Sequence, residues 1–193
     1  LSAGEVEALA GFAEEDSIYI KALMNDRPGN ETEGSISSDR LVIDQILPVV
    51  NTVSYSSNFS DSTLASVGHL ITVTFTTEPL LQAPTITVSG NAGSVAGFSG
   101  DSSWAGTYTM QDGDAEGVIA FTINGLVDLR GNPADGFTQT TDNTVVTFDN
   151  TKPTLDPVTI ISSNRDPAWA KVGDTVTVAF TGAELLTNQT VTI

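Results

Sequence analysis

This sequence predicts an all-β fold, an antiparallel β-sandwich repeated in tandem, and three features carry the prediction. The first is self-similarity. Shifted by 105 positions, residues 43–88 fall on residues 148–193 without a gap, and 16 of the 46 pairs are identical. The second is composition: Val, Ile, Thr and Ser with 17 Gly and 8 Pro suit strands joined by turns. The third is strict alternation of apolar and polar side chains in the best-matched stretch, Leu70–Thr76, and again in its copy around Val176, Val178 and Phe180. A period this long exceeds a solenoid turn and equals one whole domain used in series.

Taken in order, residues 1–44 carry few module signals. Leu1–Ala13, with Gly4-Glu5-Val6-Glu7-Ala8, suits a short helix, Asp26-Arg27-Pro28-Gly29-Asn30 a turn, and Leu41–Asp44 a closing strand. Strands are then predicted at Thr52–Ser56, His69–Thr77, Thr85–Ser89, Trp104–Met110, Val118–Asn124 and Thr144–Phe148. Period-two alternation places Val53, Tyr55, Ile71, Val73, Phe75, Ile86 and Val88 inward. Trp104, Tyr108, Met110, Ile119, Phe121, Ile123, Val146 and Phe148 join them. Burying such side chains contributes roughly 1.5–3 kcal/mol each. Gly90-Asn91, Ser99-Gly100-Asp101, Gln111-Asp112-Gly113-Asp114 and Gly131-Asn132-Pro133 break the strands. Short strands so punctuated within one period indicate an immunoglobulin-like sandwich.

The order of signals resembles the bacterial immunoglobulin-like repeats of very large surface proteins and adhesins. The matching segments are Asp149-Asn150-Thr151-Lys152-Pro153, Val172-Gly173-Asp174, Trp104, Gly117–Ile123 and Asp128-Leu129-Arg130-Gly131-Asn132. The match covers residues 41–193. It implies an extracellular scaffold and no enzymatic activity.

The predicted organisation is a C-terminal half-module at 1–44, a complete module at 45–149 and an N-terminal half-module at 150–193. Two full periods would need 17 residues more than the 193 present. Two readings follow. Either neighbouring chains, or adjacent slices of one polypeptide, complete a sandwich between them head to tail and form a fibre, or the chain is a piece cut from a longer array.

Charge narrows the partners. The net charge is −17, distributed as −7 over residues 1–44, −9 over 45–149 and −1 over 150–193. Such a surface repels phosphates and anionic membranes, which argues against nucleic-acid binding, and favours divalent cations. No apolar run is long enough for a membrane span, and no signal-peptide pattern opens the chain. With no cysteine, there is no nucleophilic thiol and no disulfide framework.

Candidate chemistry is sparse. His69 is the one histidine, and its copy is Asp174, so neither a triad nor a His-rich zinc site can be assembled. The acids fall at turns between short strands, a poor basis for paired-carboxylate catalysis. Asp112, Asp114 and Glu116 open like a calcium loop, but the twelfth position is Ile123, not Glu. The alternative there is an acidic hairpin turn. A linker site joining Asp44 or Asp149 with Asp128 or Asp26 is a second calcium candidate. Asn30, Asn58 and Asn188 head N-glycosylation sequons. Gly29-Asn30 and Gly131-Asn132 read as positive-φ turns, not phosphate cradles. Trp104 and Trp169 are the sugar-stacking candidates, with packing the expected role of each.

The function these features predict is structural: a repeat of an extracellular fibre, pilus-like filament or adhesin stalk, partnered by copies of itself. A carbohydrate- or surface-binding module is the alternative.

Overall fold

The alternating stretch that dominates the sequence becomes the central strand of the largest sheet. The structure, a computed structural model, describes residues 11–192. Residues 11–44 carry β1 (Ser17–Ile18), β2 (Leu23–Asn25), β3 (Glu31–Glu33) and β4 (Leu41–Val42). Next come β5 (Val50–Ser57), β6 (Leu64–Ala65), β7 (Leu70–Thr77), β8 (Thr85–Val88) and β9 (Asn91–Ala92). They are followed by β10 (Ser94–Ala96), β11 (Ser103–Thr109), β12 (Gly117–Val118), β13 (Phe121–Asn124) and β14 (Thr147–Phe148). The last two are β15 (Leu155–Ser162) and β16 (Val176–Gly182). Among the described residues the fold is all-β, and the helix expected within Leu1–Ala13 lies almost wholly outside them.

The main sheet has the order β10-β11-β7-β5, and two three-stranded sheets have the orders β13-β8-β9 and β12-β14-β6. Pairs β1–β4, β2–β3 and β15–β16 stand as two-stranded sheets. Every pairing is antiparallel except β14 with β6, which is parallel at Thr147–Leu64 and Phe148–Ala65. That is a departure from the purely antiparallel expectation. The two-residue β6 lies on the connection between β5 and β7 but borders a different sheet, and β14 runs beside it in the same direction.

Two other expected strands are shorter than predicted. Val118–Asn124 divides because consecutive residues bond to different sheets: the Ile119 N–H donates to Val146 O, whereas the Ala120 carbonyl accepts from Ser89. Thr144 leaves the ladder because Asp142 Oδ1 accepts both its N–H, at 3.0 Å, and its hydroxyl, at 2.7 Å.

The inward set read from alternation forms the core. Val53, Tyr55, Ile71, Val73, Phe75, Ile86, Val88, Trp104, Met110, Ile119, Phe121, Ile123, Val146 and Phe148 are buried, while Tyr108 is half-buried. Leu80, Leu126 and Ala65 complete it. Phe75 stacks on Trp104 with ring centroids 6.4 Å apart, and the Trp104 indole N–H donates to Thr77 Oγ1 at 2.9 Å. The Tyr55 hydroxyl donates to Ile119 O and accepts from the Val146 N–H, tying β5 to the connection that enters β13 and the one that enters β14. Gly106 is obligatory for the approach of the two layers: a Cβ there would come within 2.8 Å of the Ile86 side chain.

The chain divides into two compact units, one ending at Asp149 and the other beginning at Asn150. Within the second, β15 and β16 pair at Val158–Phe180, Thr159–Ala179, Ile160–Val178, Ile161–Thr177 and Ser162–Val176. Within the first, β5 and β7 pair at Val53–Phe75, Ser54–Thr74, Tyr55–Val73, Ser56–Thr72 and Ser57–Ile71. Each pair in one hairpin is its counterpart in the other displaced by 105, and both ladders have their irregularity at the same end.

The intervening loops follow suit. Ser57 N–H donates to Ser62 O and Ser162 N–H to Pro167 O. Asp61 Oδ1 accepts from Thr63 N–H as Asp166 Oδ1 does from Ala168 N–H. Gly68 and Gly173 hold φ of 87° and 97°.

Candidate functional site

The surface that differs most between these matched hairpins is the inward face of β15–β16. In the first unit Val53, Ile71 and Val73 are 1%, 0% and 0% exposed, within a core they share with Ile86, Val88, Ile123 and Phe148. The corresponding Val158 and Val176 are 60% and 39% exposed, and Ile160, which replaces Tyr55, is 66% exposed. Val158 and Ile160, with Val178, Phe180, Leu186 and Val191, line an open apolar cleft of about 580 Å³. The segment Thr190–Thr192 on its rim corresponds by the 105-residue shift to β8. The geometry is that of the first unit's core seen from one layer. Burial of such a face is favourable in proportion to its apolar area, and isolated hairpins are marginal in water.

Residues 11–44 contain a turn that is matched within residues 45–149. The Asp26 N–H donates to Asn30 O, and Asp26 Oδ1 and Oδ2 accept from the Asn30 backbone and side chain at 2.7 and 2.8 Å. Asp128 does the same with Asn132, at 2.9 and 2.8 Å. Gly29 and Gly131 take φ of 97° and 99°, which is the positive-φ turn that Gly-Asn suggested. The pairs flanking both clasps also correspond: Asn25 faces Glu31 in β2–β3, and Val127 faces Pro133 in an isolated antiparallel bridge. Ile20, Leu23, Met24, Ile36 and Leu41 are exposed apolar side chains of this segment.

The sequence-predicted sites are placed as follows. Asp114 is a loop clasp: its carboxylate accepts from Gln111 N–H at 2.7 Å, Asn91 Nδ2 at 2.8 Å and the Tyr108 hydroxyl at 3.1 Å. Burial first, then the Asp114 bond and charge, push the Tyr108 phenol above its ordinary pKa. Among the described residues no three His, Cys, Asp or Glu side chains converge as a metal site, so Asp112, Asp114 and Glu116 are not brought together as one. In the linker, Asp44 lies 2.9 Å from Arg130 Nε, a pairing with the clasp loop that sequence reasoning did not anticipate.

Asn30, Asn58 and Asn188 are all exposed. One Asn30 amide hydrogen is committed to Asp26, while Asn58 Oδ1 accepts from Leu70 N–H at 2.9 Å. Trp104 is core, as expected. Trp169 is not: the packing expected of it is corrected by an exposure of 71%, and the corresponding Leu64 is itself 43% exposed. Position 64 lies at the rim, so a larger ring there projects into solvent.

His69 is a half-buried cap. Its Nδ1 accepts from Ser66 N–H at 2.9 Å, and its ring meets Phe59 edge-on at 5.0 Å. Asp174 performs the same service for Lys171 N–H at 2.9 Å. His69→Asp is therefore expected to keep the fold within about 0.5 kcal/mol of wild type. His69→Leu, which leaves the Ser66 N–H without its partner, is expected to cost about 1 kcal/mol in chemical denaturation.

The chain matches no family model, no curated protein and no solved structure.

Proposed function

We propose that this chain is a length of a tandem array of immunoglobulin-like β-sandwich modules that serves as a structural element outside the cell, in a fibre, pilus-like filament or adhesin stalk. The observation that carries this reading is the pair-for-pair register of β5–β7 and β15–β16 across 105 residues. The repeated Asp26 and Asp128 clasps support it from the other half of the module. The extracellular assignment rests on the resemblance to bacterial surface repeats. In such an array the work is mechanical: each module buries its own core, and the linkers set spacing.

The cleft of the second unit is then completed head to tail by a half-module of the kind seen at residues 11–44, supplied by a neighbouring copy. Sedimentation velocity on the full chain tests this. The expected result is concentration-dependent oligomers that grow end to end and disappear in Ile160→Asp, where a charge in the seam must be desolvated. A wild-type chain that remains monomeric at high concentration contradicts the assembly.

One observation favours a second reading, the exposed Trp169. An aromatic face in solvent suits sugar stacking. Glycan binding lost in Trp169→Ala would support a carbohydrate-binding module instead.

A further inference from the structure

The junction ahead of the complete module is pinned on both sides. It consists of Gln45-Ile46-Leu47-Pro48-Val49 and holds no Gly or Ser, the residues that loosen a linker. On the near side the Gln45 N–H donates to Glu14 Oε2 at 2.6 Å, and Ile43 exchanges backbone bonds with Glu15 and Asp16. On the far side Pro48 is buried and Val50 opens β5. Asp44 ties the two sides together: its Oδ1 accepts from the Ile46 N–H at 3.1 Å, and its Oδ2 lies 2.9 Å from Arg130 Nε. Arg130 stands on a firm base. Its own N–H donates to Asp128 Oδ1 at 2.8 Å, and Asp128 bridges to Leu80, which is fully buried. Arg130 is also the only Lys or Arg in residues 45–149, which carry ten acids. The single cation of the module is thus spent on the linker.

We propose that Asp44 and Arg130 form a latch that fixes the orientation of residues 45–149 on the segment before them, making this junction a stiff strut. Modules joined by a short linker and a small contact swing relative to each other by default. Here a swing about residues 45–49 pulls Asp44, on one side, away from Arg130, on the other. An exposed ion pair adds little to folding stability. Junction orientations, however, differ little in free energy, and a small differential contact is enough to select one. The clasp thereby has a second role, since Asp128 shapes the loop that presents Arg130. The linker carboxylate that could have drawn a calcium ion is met by a cation of the chain itself. That the latch serves to stiffen an array rests on the array reading; the latch itself does not.

Two spin labels on one chain test the latch. The chain has no cysteine, so Thr32→Cys in β3 and Thr109→Cys in β11, both exposed strand positions, place one label on each side of the junction. Pulsed electron paramagnetic resonance is recorded on the full chain diluted with its unlabelled form. The distance then lies within one molecule, and a failure of head-to-tail assembly leaves it unchanged. A single narrow distance distribution is expected. Arg130→Gln and Asp44→Asn are each expected to replace it with a broad one, and the double variant to broaden it no further, because both remove the same bond. High salt, which needs no substitution, is expected to broaden the parent and to leave the variants as they are. Arg27→Gln, with the same charge change in the clasp of residues 26–30, is expected to keep the narrow distribution. A broad distribution in the parent, or a narrow one that survives Arg130→Gln, Asp44→Asn or high salt, overturns the proposal.

Discussion

Phe75→Ala is expected to lower the stability of the chain by about 3–5 kcal/mol, the usual cost of emptying a large aromatic site in a packed core. The ring is 2% exposed and stacked on Trp104. Phe180→Ala, the same position of the repeat, is expected to leave the main unfolding transition unchanged, because Phe180 is half-buried in a separate compact unit. Its effect falls on association, since its ring lines the cleft that a neighbouring half-module would close. Chemical denaturation with sedimentation on both variants reads the contrast. Equal destabilisation of one transition by both would mean that the second unit has a packed core of its own.

Asp128→Ala is the second substitution of large effect. The carboxylate is 6% exposed and accepts from the Arg130 backbone, the Asn132 backbone and the Asn132 side chain. Hydrogen bonds to a charged acceptor are worth about 1.5–3 kcal/mol each in mutational measurements. Several are shared by one group and are not additive, so a total loss of about 3 kcal/mol is expected. Burial pushes this carboxyl up, but the Asn132 side chain and the backbone N–H groups of Asn132, Arg130 and Gly131 outweigh it and hold the pKa below the ordinary aspartate value.

A depressed folded-state pKa means that the stabilisation is complete above the unfolded-state value and is lost as pH falls through the folded one. Asp26, Asp61, Asp142 and Asp174 are lowered by local hydrogen bonds in the same direction. Melting temperature is therefore expected to stay flat from neutral pH down to the aspartate range and to drop below it, with a shallower acid limb in Asp128→Ala. An identical limb in the variant would remove the clasp from the explanation.

Much of this was legible in the residues because alternation is a local signal. Ile71, Val73 and Phe75 stand at every second position, and one strand conformation suffices to bury all three. The 105-residue shift was equally readable, because loop chemistry repeats with the strands: Gly68 and Gly173 need the same left-handed backbone. Non-local partners were not readable. Nothing near Tyr55 announces that its hydroxyl reaches Ile119 and Val146, or that Ile160 in the copy forgoes the link. The parallel β6–β14 pair arises from which sheet a two-residue segment borders, a property of the assembled fold. Asp114 resembled a metal ligand because its carboxylate sits in an acidic turn, and the contacts that carboxylate makes with Gln111, Asn91 and Tyr108 are non-local or backbone bonds that the turn sequence does not announce. Correspondence with Leu64 suggests packing for Trp169, and its exposure follows from the rim position that the two share.

The central claim is that one hairpin geometry recurs 105 residues apart, and backbone proton contacts measured by NMR on the full chain test it directly. Cross-strand contacts are expected between Thr159 and Ala179 wherever they occur between Ser54 and Thr74, and between Ile160 and Val178 wherever Tyr55 meets Val73. Contacts displaced by even one residue in the second hairpin would turn its apolar face over and contradict the account.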